Sequence, residues 1–145
     1  MKEFIEIKTK GRVIFRDENN QIIKVQEIEN LITTNGRRWT LQKLIGASAA
    51  TFATIQLGSS STAPTKTDTG VTTLVCTLPV SITDNILTSD KFTVTATIPQ
   101  ALYIGTTFRE CALMLSDATC FNHSVTPDFT KDAQQVDVEW DIIWS

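Results

Sequence analysis

The residues best suited to chemistry lie late in the chain. Cys120 and His123 stand in Cys-x2-His spacing, Cys111 falls on a neighbouring strand, and Cys76 lies further upstream. A thiolate beside an imidazole is a nucleophile and base, and thiolates with an imidazole are the ligands of structural zinc. Neither set is complete. Zinc needs four ligands, and Cys76 belongs to a separate strand; the nucleophile lacks a third group and an oxyanion-binding glycine loop. Buried strand thiols and a loop-edge histidine are the simpler account, so no catalytic, cofactor-binding or metal residue is assigned.

Asp137, Glu139 and Asp141 repeat every second residue, which lines carboxylates along one face of a strand where calcium or a sugar hydroxyl would find them. The row lacks the turn and carbonyl ligands of a calcium loop, and the solvated face of a sheet explains it. Glu110 beside Arg109 reads as an ion pair or turn anchor. Trp140 and Trp144 share the apolar face of the last strand and suit core packing, which leaves Trp39 as the candidate for stacking on a sugar ring. The Ser/Thr-rich stretch from Gly58 to Gly70 has no Gly-x-x-x-x-Gly-Lys pattern and is no phosphate cradle.

The elements that must position these residues follow from pattern. The 145 residues match one domain with one core. A net charge of −3 and a pI near 5.1 argue against nucleic acid, which demands clustered Lys and Arg. No apolar run approaches the ~20 residues of a membrane span, and no basic start precedes an apolar signal core, so a product of the cytoplasm with no membrane insertion is expected. Three cysteines without a signal peptide argue against a disulfide framework.

Phe4 to Lys8 and Arg12 to Asp17 read as two short strands parted at Lys10-Gly11, and Arg12 to Glu29 as a hairpin turning at Glu18-Asn19-Asn20. Thr34 or Asn35 is placed to cap a helix over about residues 35–45 that Gly46 ends, with Leu41, Leu44 and Ile45 on the face that must pack. Strands follow at Thr51 to Leu57 and Thr72 to Val80, then turns around Ile86-Leu87. Phe92, Val94, Ala96 and Ile98 alternate, and the continuous apolar run within Phe108 to Leu115 marks a central strand. Ala118 to Val125 is a strand, Thr126-Pro127-Asp128 a connection, and Val136, Val138, Trp140, Ile142 and Trp144 one face of the last strand. The fold expected is mostly β: an antiparallel β-sandwich of roughly seven to nine strands with an N-terminal β-hairpin and one short α-helix. It forms a single domain over 1–145, with N-terminal strands and hairpin at 1–29 and helix plus sandwich at 30–145.

The order of landmarks carries a resemblance. Gly11-Arg-Val-Ile-Phe-Arg-Asp, then Asn30-Leu-Ile-Thr-Thr-Asn-Gly with its helix, Ile55-Gln-Leu-Gly, Thr62-Ala-Pro64 and Asp68-Thr69, and finally Phe108-Arg-Glu-Cys-Ala-Leu-Met together resemble small tail-associated structural proteins of tailed bacteriophages. Cys111-Ala112 stands where that group has Ile-Gly, and residues 1–10 have no counterpart. The resemblance implies a non-enzymatic virion protein of a tail, fibre or baseplate, a homo-oligomer whose partners are other virion structural proteins. A capsid decoration or head-fibre protein, or a receptor module for a host-surface glycan, is the alternative.

Overall fold

A computed structural model describes residues 7–84 and 90–144. The elements run β1 (Ile7–Arg16), β2 (Ile22–Ile28), β3 (Leu31–Ile32), α1 (Thr34–Leu44), β4 (Phe52–Gly58), β5 (Leu74–Pro79), β6 (Ser81–Asp84), β7 (Lys91–Ile98), β8 (Thr107–Leu115), β9 (Cys120–Thr130) and β10 (Gln135–Trp144). They form two five-stranded antiparallel sheets, here sheet A (β2-β1-β10-β7-β6) and sheet B (β3-β9-β8-β4-β5). The mostly-β antiparallel sandwich with an N-terminal hairpin and one helix is therefore what the chain forms, with ten strands among the described residues.

Alternation builds the core. Val136, Val138, Trp140 and Ile142 point inward from β10 and meet Ile55, Leu57, Cys111, Leu113, Leu115 and Phe121 of sheet B. Each fully buried side chain of this kind contributes about 1.5–3 kcal/mol, which is what holds the two layers together. β8 is the middle strand of its sheet, as its unbroken apolar run requires.

Several boundaries differ from expectation, each for a physical reason. β1 runs unbroken through Lys10-Gly11, because Gly11 pairs directly with Trp140 and the indole lies over it. Residues 4–6 of the expected first run lie outside the described residues, as do 85–89 with Ile86-Leu87; Thr83 and Asp84, read as a turn, belong to β6. β9 continues through Thr126-Pro127-Asp128, since Pro127 sits where the β8 register shifts and beyond the two residues that β3 pairs.

The helix is the largest correction. Its cap is Thr33, not Thr34 or Asn35: the Thr33 hydroxyl accepts from Gly36 N at 2.9 Å. Gly46, with φ +72°, ends it as expected. Leu41, Leu44 and Ile45 are not its packing face, being 66%, 56% and 80% exposed. The helix instead meets β9 at Gly36, where a Cβ would stand 2.3 Å from the Phe121 carbonyl oxygen, and through Trp39 one turn on. Close backbone approach replaced the large apolar contact that the spacing suggests.

Candidate functional site

The arrangement that stands out is built on the outer face of sheet B. Alternation sends Cys111, Leu113 and Leu115 into the inter-sheet core and leaves Glu110, Ala112 and Met114 outside. In a regular strand Cys120 and His123 would face opposite ways. A register shift between Leu113 and Met114 sets Cys120 opposite Met114 and His123 opposite Ala112, so both take the outer side.

The loop of residues 59–73 crosses this face and is held by one carboxylate. Glu110 Oε2 accepts from Ser60 N at 2.8 Å and Thr73 N at 3.0 Å, while Oε1 accepts from Thr72 N at 2.6 Å and meets His123 Nε2 at 2.8 Å. Those four bonds use the whole acceptor capacity of the group. On the far side of the ring, His123 Nδ1 meets Asp68 Oδ2 at 2.7 Å, and Asp68 accepts from the amide and hydroxyl of Thr65, each at 2.7 Å. Glu110 and His123 are fully buried, whereas the Asp68 side chain is 25% exposed. Gly58 completes the cradle, because a Cβ there would lie 2.5 Å from Thr73 O and 2.6 Å from Glu110 Oε2.

Burial alone would raise the Glu110 carboxyl, but the Thr73, Thr72 and Ser60 amides with His123 outweigh it and hold the group below its ordinary value. Asp68 is likewise lowered: burial pushes it up, while the Thr65 amide, His123 and the Thr65 hydroxyl bring it down. Both therefore carry charge at neutral pH.

This geometry answers the chemical readings. Both ring nitrogens of His123 face carboxylates, so neither is free to take a proton from Cys120, whose thiol donates to Asn122 O and is pushed up to about 12 by burial and by Asp68. Cys76 and Cys111 lie in the inter-sheet core with thiols raised by burial, away from the outer face. Asp68 and Glu110 sit on opposite ring nitrogens and share no point where one ion would bind them both. Among the described residues no group of three or more His, Cys, Asp or Glu side chains is arranged for a metal.

The other candidates take structural places. Arg12 spans Glu139 at 2.7 Å and Asp141 at 2.9 Å, Arg16 pairs with Asp137 at 2.8 Å, and Thr93 and Thr97 donate to Asp141 and Asp137. The carboxylate row is thus an ion-pair ladder on sheet A, its two aspartates nearly buried, not the open solvated face expected. Arg109 turns from Glu110 to Asp128 and the Ser59 carbonyl, so Glu110 meets the loop amides and His123 instead of Arg109. Trp140 is core; the Trp144 side chain lies outside the described residues. Trp39 packs edge-on against Phe52 and Phe121 and donates Nε1–H to Ala50 O, lining a mostly apolar pocket of about 400 Å³ with Leu44, Phe92 and Ile142. Lys131, unmarked by its sequence context, is buried with Nζ on the Gln100 and Asp132 carbonyls.

No described helix is long and apolar enough to cross a membrane. Comparisons with protein families, with curated proteins and with solved structures each return no match.

Proposed function

We propose that this chain is a non-enzymatic structural subunit of a bacteriophage virion, in a tail, fibre or baseplate complex, where it assembles with other virion proteins and with copies of itself. The resemblance runs from Gly11 to Trp144 in a fixed order of landmarks. The observation that carries the assembly reading is the position of exposed apolar side chains: Ile22, Ile23 and Val25 on β2, Ile82 on β6 and Leu74 on β5, all edge strands. Such edges are templates for another chain. A capsid decoration or head-fibre position draws on the same support. The glycan-receptor reading has less behind it, since Trp39 commits its N–H to Ala50 and its ring to Phe52 and Phe121.

Mass spectrometry of purified virions from a phage that encodes the chain tests the reading, with peptides of this protein expected at a fixed ratio to the major tail protein. Their absence would refute it.

A further inference from the structure

The buried row Asp68–His123–Glu110 ties three parts of the chain together: a surface loop, β9 and β8. The Asp68 oxygen facing Nδ1 also accepts from Thr65 N, and the Glu110 oxygen facing Nε2 also accepts from Thr72 N. While ionised, those oxygens only accept, so the ring bridges two carboxylates, one on the loop and one on the sheet. A ring only 1% exposed between two carboxylates is held by these bonds, since water does not reach it.

The loop over it has few other holds. It carries no large apolar side chain apart from Val71, which packs on Ala112, Met114 and Cys120. Its remaining ties are the Glu110 amide bonds, Val71 N on Gln56 Oε1, Thr34 N at the start of α1 on Lys66 O at 2.8 Å, Ser59 N on Thr73 O, and Arg109 on Ser59 O.

We propose that Asp68, His123 and Glu110 form a proton-dependent latch: the 59–73 loop stays on sheet B while both carboxylates are ionised and bridged by the ring, and lifts when a carboxylate takes up a proton or the bridge is removed. Other charged or titratable groups nearby are Arg109, engaged with Asp128, the Cys120 thiol beside Asp68, Lys66 exposed on the loop, and Arg37 and Arg38 exposed on α1. None replaces a latch member, because none bonds to the ring. Lifting the loop uncovers Ala112, Met114 and Cys120, an apolar strip with a thiol at its end. The inference stands apart from the virion reading and fails or holds without it.

Cys120 reports the opening, and Cys111 and Cys76 in the inter-sheet core report global unfolding. Labelling by 4,4′-dithiodipyridine, which captures thiols at acid pH, is followed site by site by mass spectrometry from pH 3 to 7, with each rate divided by that of the unfolded chain at the same pH. In the wild type, Cys120 labelling is expected to gain about tenfold on Cys111 as the pH falls and Asp68 and Glu110 take up protons, the shift that losing one charge-assisted hydrogen bond gives an opening equilibrium. His123→Gln should label Cys120 rapidly at every pH while Cys111 stays protected. Asp68→Ala, a change on the loop itself, should raise Cys120 labelling above wild type and flatten its pH dependence, and it decides the matter if His123→Gln does not fold. Parallel labelling of Cys120 and Cys111 throughout in the wild type, or wild-type protection in Asp68→Ala, would overturn the latch.

Discussion

Replacing Gly11 by alanine isolates the contact between β1 and β10. Two effects push in favour of alanine: it lowers the entropy of the unfolded chain by the equivalent of about 0.4–1 kcal/mol, and a strand interior prefers it to glycine. One effect opposes. A Cβ at position 11 would stand 2.2, 2.5 and 2.6 Å from three carbons of the Trp140 ring, where ordinary contact begins near 3.4 Å. The ring must retreat by about 1 Å, yet Trp140 is 0% exposed on the middle strand of its sheet and has only packed side chains behind it. Overpacking of that kind costs about 1–3 kcal/mol, and a clash of three ring atoms belongs at the upper end. The net expectation is about 2 kcal/mol of destabilisation, or roughly 4–8 °C in Tm for a chain of this size. Urea unfolding of Gly11→Ala measures it, and a cycle with Trp140→Leu locates it: with the ring gone, the alanine should become neutral or stabilising. A Gly11→Ala protein as stable as wild type, or a cost that persists in the Trp140→Leu background, would refute the steric account.

Arg12→Ala should cost about 1–2 kcal/mol, between an exposed pair and a buried one, because Asp141 is left nearly covered with only Thr93 and a Lys91 amine 3.8 Å away; chemical denaturation in urea reads it. Asp141, Asp68 and Glu110 all have folded-state values below their unfolded ones, so their contribution is complete above the ordinary carboxylate range and fades as pH falls through the folded values. Thermal melts should therefore be flat from about pH 5 to 7 in this respect and fall steeply below about pH 4, with Glu110→Gln losing part of that slope. Trp39→Ala should lower stability by about 3 kcal/mol through the lost Phe52 and Phe121 contacts and the orphaned Ala50 carbonyl, read as a fall in Tm by calorimetry; an unchanged Tm with altered glycan binding would reverse the assignment of that residue.

The sandwich was legible because period-two patterns fix faces. Val136 to Ile142 and Phe92 to Ile98 name their buried sides without help, and the apolar run at Cys111 to Leu115 marks a strand covered twice. The helix face was not legible, since a glycine approaching a backbone leaves no hydrophobic signal and Leu41, Leu44 and Ile45 leave a false one. The site was half legible. Glu110 directly precedes the apolar run of β8, but its partners Asp68 and His123 lie 42 residues before and 13 after it. His123 reaches the outer face only through a register shift that neither composition nor period announces. Cys120 and His123, adjacent by motif, share a face yet no bond, because the carboxylates claim the ring first.

Why a carboxylate lies buried there follows from the loop it holds. Residues 59–73 are too polar to adhere to a sheet by apolar burial, so laying them on β8 strips water from backbone amides that must find acceptors. A strand whose own carbonyls are spent on its neighbours offers few. Glu110 supplies acceptors for the Ser60, Thr72 and Thr73 amides at once, but an isolated buried carboxylate is itself costly. The fourth bond, from His123, fills its last acceptor site, and Asp68 on the loop completes the ring's second bond. A polar loop folded over a central strand thus requires a buried acid, the acid requires a buried base, and the base returns the link to the loop. Removing any member leaves a buried polar group unpaired, which is why the three should act as a unit, their double substitutions costing less than the sum of the single ones.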